Sequence, residues 1–231
     1  MTPPVEITGS FNFSPAVVPK PLDWKDPITI SGYWFLDDAD LNWKPSKELI
    51  NFMNKAREDN KPLVYIGFGS IVVPNPKAMT RSIVKAVLKS DVRAILSKGW
   101  SARMSKDTGP EAELPPEVFS VDKIPHDWLF PKIDAALHHG GAGTTGASLR
   151  AGIPTLIKPW FGDQFFWAMR VTKLGAGLRV SSLSSSDLAD ALKRAVSDRL
   201  EQSTPTCLEL HRTVQLFNFS ETESSIRGSA N

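Results

Sequence analysis

A parallel α/β sheet, Rossmann-like and covered by helices on both faces, is the fold the sequence predicts. Three observations carry that prediction. Apolar runs of three to seven residues, rich in β-branched side chains, recur between segments of helical periodicity. The runs are continuously apolar rather than alternating, as strands buried on both faces require. Strand-sized and helix-sized segments then alternate along most of the chain, which implies repeated βαβ crossovers.

Residues 1–27 are dense in proline and lack helical periodicity, so they read as an extended connector. A short strand follows at 28–31. Ser46 is placed to cap a helix running to about residue 59, because its hydroxyl can accept from a first-turn N–H. Residues 62–68 form a central strand that ends at Gly67-Phe-Gly-Ser70. Met79, Ile83, Val84, Val87 and Leu88 make the apolar stripe of an amphipathic helix over 76–90. A strand at 92–97 leads to Lys98-Gly-Trp100, and the polar stretch 101–117 is a surface loop.

Strands at 118–121 and 134–137 flank a short helix at 127–130. A helix over 144–151 precedes a strand at 155–157, a helix at 163–174 and a strand at 177–180. The last helix is capped by Ser185 or Ser186 and runs to about residue 200. Beyond residue 202 the pattern fails at Thr204-Pro-Thr-Cys207, and 203–231 read as an irregular or disordered tail. The expected organisation is a connector (1–27), one α/β domain (28–202) and that tail.

Composition narrows the function classes. The 231 residues suffice for one domain of ordinary core size. Hydrophobic residues at 41% and charged residues at 23% fit a globular chain. A net charge of +2 gives no nucleic-acid footprint. The single cysteine, Cys207, cannot close an intramolecular disulfide, in keeping with a reducing, cytoplasmic compartment. No apolar run approaches the length of about 18 residues that a membrane-spanning helix needs. The sequons Asn12-Phe-Ser14 and Asn218-Phe-Ser220 are short enough to arise by chance.

The chemistry concentrates in Asp134-Ala-Ala-Leu-His-His-Gly-Gly-Ala-Gly-Thr-Thr145. A strand that stops at a glycine-rich turn and feeds a helix presents unpaired N–H groups and a positive dipole end to one spot. Such a spot binds phosphate. Gly140, Gly141 and Gly143 keep side chains out of the way, Thr144 and Thr145 offer hydroxyls, and His139 adds a donor. His138 reads as a strand-end histidine facing the packing. No lysine follows the glycines, so this is not a P-loop. The dinucleotide fingerprint also fails, because no acidic residue about 20 positions on sits at a strand end. In an open α/β sheet, ligands bind outside the carboxyl ends of the strands. Ser70, Trp100, Ile124, the 139–145 turn and Asp163-Gln164 all fall there. The histidines lack carboxylates at ligand spacing, so neither metal nor cofactor is expected.

Pro125-His126, His139-Gly-Gly-Ala-Gly-Thr-Thr145, Gly152-Ile-Pro154, Pro159 and Asp163-Gln164 together resemble the nucleotide-sugar signature of the inverting UDP-glycosyltransferases. Within that family, four further runs are similar to fungal sterol 3-beta-glucosyltransferases: the 13–24 segment, Gly32-Tyr-Trp-Phe-Leu-Asp37, Gly67-Phe-Gly-Ser70 and Lys158-Pro-Trp-Phe-Gly-Asp-Gln-Phe-Phe166. The likeness covers about residues 13–200 and implies the C-terminal half of a GT-B glycosyltransferase, with UDP-glucose as the donor.

The resemblance also implies roles. His139, Gly141, Gly143, Thr144, Thr145 and Ser70 would surround the pyrophosphate. Asp163 and Gln164 would hold sugar hydroxyls, and for Asp163 that role is compatible with capping the helix. Lys123 stands where the plant branch has a stacking Trp. The uracil would then meet the Ile124 backbone and stack on Trp100, unless Trp100 only anchors its loop. The family's catalytic His lies in an N-terminal domain that this chain lacks, which leaves the base unassigned and Asp163 as a fallback. The sterol acceptor would come through that missing domain, and the intact enzyme would be cytoplasmic or peripheral to a membrane. Two readings stand side by side: the donor half of a sterol glucosyltransferase, and a stand-alone UDP-sugar-binding module without transfer activity.

Overall fold

The computed structural model describes residues 9–35, 43–72, 75–97 and 113–201. Trp100, residues 36–42, most of the 101–117 stretch and residues 203–231 lie outside the described residues.

Two strands open the chain, β1 (Gly9–Phe11) and β2 (Ile28–Ile30), paired in parallel with Gly9 opposite Ile28. The first of these was not expected, since three residues show no periodicity to read. Helix α1 (Lys47–Glu58) begins at Ser46, whose hydroxyl accepts from the Leu49 N–H at 3.1 Å. Strand β3 (Leu63–Gly67), helix α2 (Pro76–Ser90), strand β4 (Arg93–Ser97) and strand β5 (Val118–Val121) follow. The short helix α3 (His126–Leu129) runs into a 3-10 turn at Phe130–Lys132 and then strand β6 (Ala135–His138). The second half continues with α4 (Ala142–Arg150), β7 (Thr155–Ile157), α5 (Gln164–Lys173), β8 (Gly177–Arg179) and α6 (Ser185–Glu201). Helix α4 starts two residues earlier than its periodicity suggests, because the extended Gly141 serves as its cap.

Strands β3 to β8 form one parallel sheet in the order β5-β4-β3-β6-β7-β8. Counted from β3, that is the doubly wound order 3-2-1-4-5-6. The chain winds one way from β3 to β5 and the other way from β6 to β8, so the switch point lies between β3 and β6.

Alternation along the strands sends side chains to opposite faces. Val64, Ile66, Ala94, Leu96 and Leu137 pack under α2 and α6. Leu63, Tyr65, Ile95 and Ala136 pack under α1 and α3. On the β6–β8 side of that second face, α4 and α5 enclose Leu149, Ile157, Trp167 and Val171 together with Val17 and Tyr33 from the opening segment. The Arg170 guanidinium donates to the Val17 carbonyl from Nε, at 2.8 Å, and from Nη2, tying that segment to α5. The ring of Tyr33 lies against Gly146, where an added Cβ would come within 2.7 Å of it. At the opposite end of the sheet, Asp134 accepts from the Leu63 N–H at 2.7 Å and pairs with Arg57 at 2.5 Å. That carboxylate clamps the start of β6 to the start of β3 and so sets the register that brings Gly67 opposite His138.

Candidate functional site

The site begins with that register. With Gly67 opposite His138, the turns that leave β3 and β6 emerge side by side at the switch point. After β3 the chain reverses in a tight turn closed by the Ile71 N–H donating to the Phe68 carbonyl at 3.1 Å. Gly69 occupies the left-handed region there, with φ +57°, which a residue with a side chain adopts only under strain. The turn leaves Gly69 and Ser70 exposed at the rim.

His139 fills the space between the two turns. A Cβ on Gly69 would lie 3.1 Å from its Cε1, and one on Gly141 would lie 2.7 Å from its Nε2. The imidazole is thus wedged between two glycines contributed by different strand ends. Its Nδ1 is buried without a hydrogen-bond partner among the described residues. Burial holds its pKa below the usual histidine value, opposed in part by the negative charge of Asp163. At neutral pH the ring is uncharged.

His138 is fully buried. Its Nδ1 accepts from the Gly140 N–H at 3.0 Å, so the neutral ring carries its proton on Nε2, and that N–H has no partner among the described residues. Burial, reinforced by the neighbouring His139 and His126, keeps its pKa far below the normal value. Gly140 is locked as well: its φ is +93°, and a Cβ there would strike Ile157 at 2.5 Å.

Helix α4 completes the cradle. Gly141 caps it with no side-chain hydrogen bond, so the N–H groups of Ala142, Gly143 and Thr144 open the helix without intrahelical or side-chain partners among the described residues. Gly143 is exposed, and a Cβ there would meet nothing within 4 Å. A chain of buried hydroxyls fixes the helix to the sheet: Thr155 donates to Ser148 at 2.8 Å, and Ser148 to the Thr145 carbonyl at 2.9 Å.

One expectation needs correction and another is narrowed. Thr145 is fully buried, and both its N–H and its hydroxyl donate to the Gly141 carbonyl at 2.9 Å, so it has no donor left for a ligand. Gln164 is buried too, and its Oε1 accepts from the Trp160 and Phe161 N–H groups at 2.8 and 3.2 Å. With both lone pairs engaged, only its NH₂ remains to donate.

Asp163 is exposed at the N-terminus of α5 but does not cap it. Its Oδ2 instead accepts from the indole N–H of Trp167 at 2.9 Å, which fixes the carboxylate in direction. Ile124 buries its side chain beside Leu129 and Phe130, leaving only its backbone to present. Trp100 lies outside the described residues.

Two further residues stand at this edge. His126 stacks on Phe130 with ring centroids 4.5 Å apart, and its Nε2 lies 3.2 Å from the Tyr65 hydroxyl. Burial pushes its pKa down to about 4. Lys158, at the end of β7, donates its N–H to the His138 carbonyl at 2.9 Å. Both belong to motifs that carry the resemblance, Pro125-His126 and the run that starts at Lys158, though neither side chain was given a role. Among the described residues, no three His, Cys, Asp or Glu side chains gather as a metal site, and no helix is long and apolar enough to cross a membrane.

Residues 91–210 match the family model described as Erythromycin biosynthesis protein CIII-like, C-terminal domain. The chain is 58% identical over 198 residues to a sterol 3-beta-glucosyltransferase of Debaryomyces hansenii, covering 84% of this chain and 13% of the relative. It is 56% identical to the enzyme of the same name from Candida albicans, over 81% of this chain and 13% of that one. The chain therefore spans 13% of the length of these curated relatives. The crystal structure of the glycotransferase of kitacinnamycin superposes with a TM-score of 0.72 at 19% identity, over 96% of this chain and 54% of that one.

Proposed function

Because the chain belongs to the erythromycin biosynthesis protein CIII-like C-terminal-domain family and has the fold of the C-terminal half of a GT-B glycosyltransferase, we propose that it binds UDP-glucose as the donor half of an inverting sterol 3-beta-glucosyltransferase. The observation that carries this reading is the wedge at the switch point. One neutral histidine sits between two glycines, beside the uncapped N-terminus of α4.

The diphosphate would rest on the α4 N–H groups and His139, with the Ser70 hydroxyl reaching it from the opposite rim. Donors fixed before the ligand arrives need no reorganisation as charge builds on the departing UDP, so they stabilise the transition state most. The same donors do the work a divalent cation would otherwise do, and we propose that none is needed. The oriented Asp163 carboxylate would accept from sugar hydroxyls. Gln164 holds the 160–161 turn in place for it and keeps one NH₂ group for the sugar. The Ile124 backbone would face the uracil, with Trp100 as its stacking surface.

The reaction is a displacement at the anomeric carbon, with inversion, and it requires a base on the acceptor hydroxyl. Asp163 is ill-suited to that task, since one of its oxygens is held by Trp167. The base, the acceptor pocket and the closed cleft belong to the remainder of the full-length protein, which would work in the cytoplasm or at a membrane surface. The test incubates the chain with UDP-glucose and ergosterol in detergent, with and without a separately expressed N-terminal half. Steryl glucoside should form only when both are present. Turnover by this chain alone would overturn the division of labour. UDP-glucose binding without turnover in either mixture would favour the stand-alone binding module.

A further inference from the structure

Helix α5 breaks the usual rule for a surface helix, which presents polar residues to water. Its inner face carries the buried Gln164, Trp167, Ala168 and Val171. Its outer face is also apolar: Phe165, Phe166 and Met169 are exposed at 42%, 38% and 56%. Phe161 extends the patch at 63% exposure, on the loop just before the helix. The neighbouring Gly162, with φ +62° and open space around it, marks that loop as a protruding tip.

The patch is ringed by cations. The Arg179 guanidinium lies over the Phe165 ring at 5.2 Å, and the Lys158 ammonium over Trp160 at 4.9 Å. Partial burial lowers the proton affinity of Lys158, and the nearby Arg179 charge lowers it further. Lys173 is exposed at the far end of the helix. Among the described residues, none of the three reaches a carboxylate within ion-pair distance. Between residues 158 and 180 there are four cationic side chains and one carboxylate, Asp163.

We propose that this face docks on an anionic phospholipid bilayer, with Phe161, Phe165 and Met169 entering the interface and Lys158, Lys173 and Arg179 meeting the headgroups. Charge complementarity selects this occupant. Apolar side chains surrounded by uncompensated cations match an interface that is apolar below and negative above. A second copy of the chain would bring like charges together, and four side chains fall short of the roughly 800 Å² per partner that a stable dimer buries. Since the patch starts next to Asp163, docking would hold the mouth of the crevice at the membrane surface. A lipid acceptor would then reach the sugar without crossing water. The proposal gives the membrane association suggested above its surface, but it does not depend on donor binding.

The test floats the full chain with vesicles of phosphatidylcholine alone, or with about a third phosphatidylserine. Binding to the anionic vesicles should exceed binding to the neutral ones and fall as salt is raised. Arg179→Gln should weaken it about five-fold, the scale of one cation at a charged surface. Phe165→Ser with Met169→Ser, both solvent-facing, should weaken it about tenfold or more, with circular dichroism confirming the fold. Equal binding to both vesicle types, or variants that bind as the parent does, would overturn the proposal. So would patch variants that abolish self-association without changing vesicle binding. A UDP titration on the same samples separates the readings: binding UDP but no vesicles removes only this inference, and the reverse removes only the donor site.

Discussion

Gly143→Ala separates the fold from the site, because the structure gives the two effects opposite signs. Gly143 lies in the first turn of α4 with ordinary helical backbone, and an added methyl group would meet nothing within 4 Å. The fold therefore loses nothing to overlap, and it gains the lower backbone entropy of alanine in the unfolded chain. That gain is about 0.5 kcal/mol, the low end of the glycine-to-alanine range in a helix. In a domain of this size it raises the melting temperature by about 1–2 °C. The ligand meets the opposite effect. If the diphosphate rests on the α4 N–H groups, the methyl group occupies space a phosphate oxygen needs, and overpacking of that kind costs about 1–3 kcal/mol. UDP affinity should then fall by about five- to 150-fold while stability rises, read by calorimetry and thermal melting on the same preparation. Unchanged UDP affinity with the expected rise in stability would show that the phosphates do not approach Gly143, and the cradle would have to be placed elsewhere.

His139→Ala should weaken UDP by about 1.5–3 kcal/mol, the scale of a hydrogen bond to a charged group; a smaller loss in a titration would remove the imidazole from the site. Asp163→Ala should weaken UDP-glucose while leaving UDP nearly unchanged, and equal losses would mean that Asp163 acts through Trp167 and the helix it supports. Acid should destabilise the fold in a window set by its buried histidines. His126 stays neutral until about pH 4 in the folded state but takes up a proton near pH 6.5 when unfolded. Between those values the unfolded chain binds more protons, so stability is full above about pH 6.5 and falls as the pH drops. At pH 5 the His126 share is about 2 kcal/mol. His126→Gln should flatten the acid limb of urea-melting curves by that amount, and an unaltered limb would assign the acid sensitivity to other groups.

Much of this architecture was readable because the information is local. The helix at 76–90 follows from one apolar stripe, and α1 from Ser46, whose hydroxyl makes the expected bond. The sheet strands are short apolar runs with no competing pattern, so a parallel sheet was readable, whereas its order, with β6 crossing back beside β3, was not. The gathering of glycines and His139 at the end of β6 was readable as well. Side-chain choices made by the fold were not. Thr145 looks like a ligand donor in sequence, yet its hydroxyl finds the Gly141 carbonyl one turn back. Gln164 looks like a sugar clamp, yet its oxygen is spent on the backbone of the loop before it. The approach of Gly69 to His139 joins residues 70 positions apart through strand register, which no local pattern encodes. Strand β1 was hidden for the opposite reason: three residues carry no period, and only β2 gives them a partner.

The central claim is that the uncapped start of α4 and a neutral His139, with no metal ion, hold the diphosphate of a UDP-sugar. Calorimetric titration of the chain with UDP-glucose in excess chelator, alongside UDP, UDP-galactose and ADP-glucose, tests it most directly. The account predicts saturable one-to-one binding of UDP and UDP-glucose that chelator leaves unchanged, with ADP-glucose far weaker. Binding that disappears in chelator and returns with magnesium, or a chain that takes none of these ligands, would contradict it.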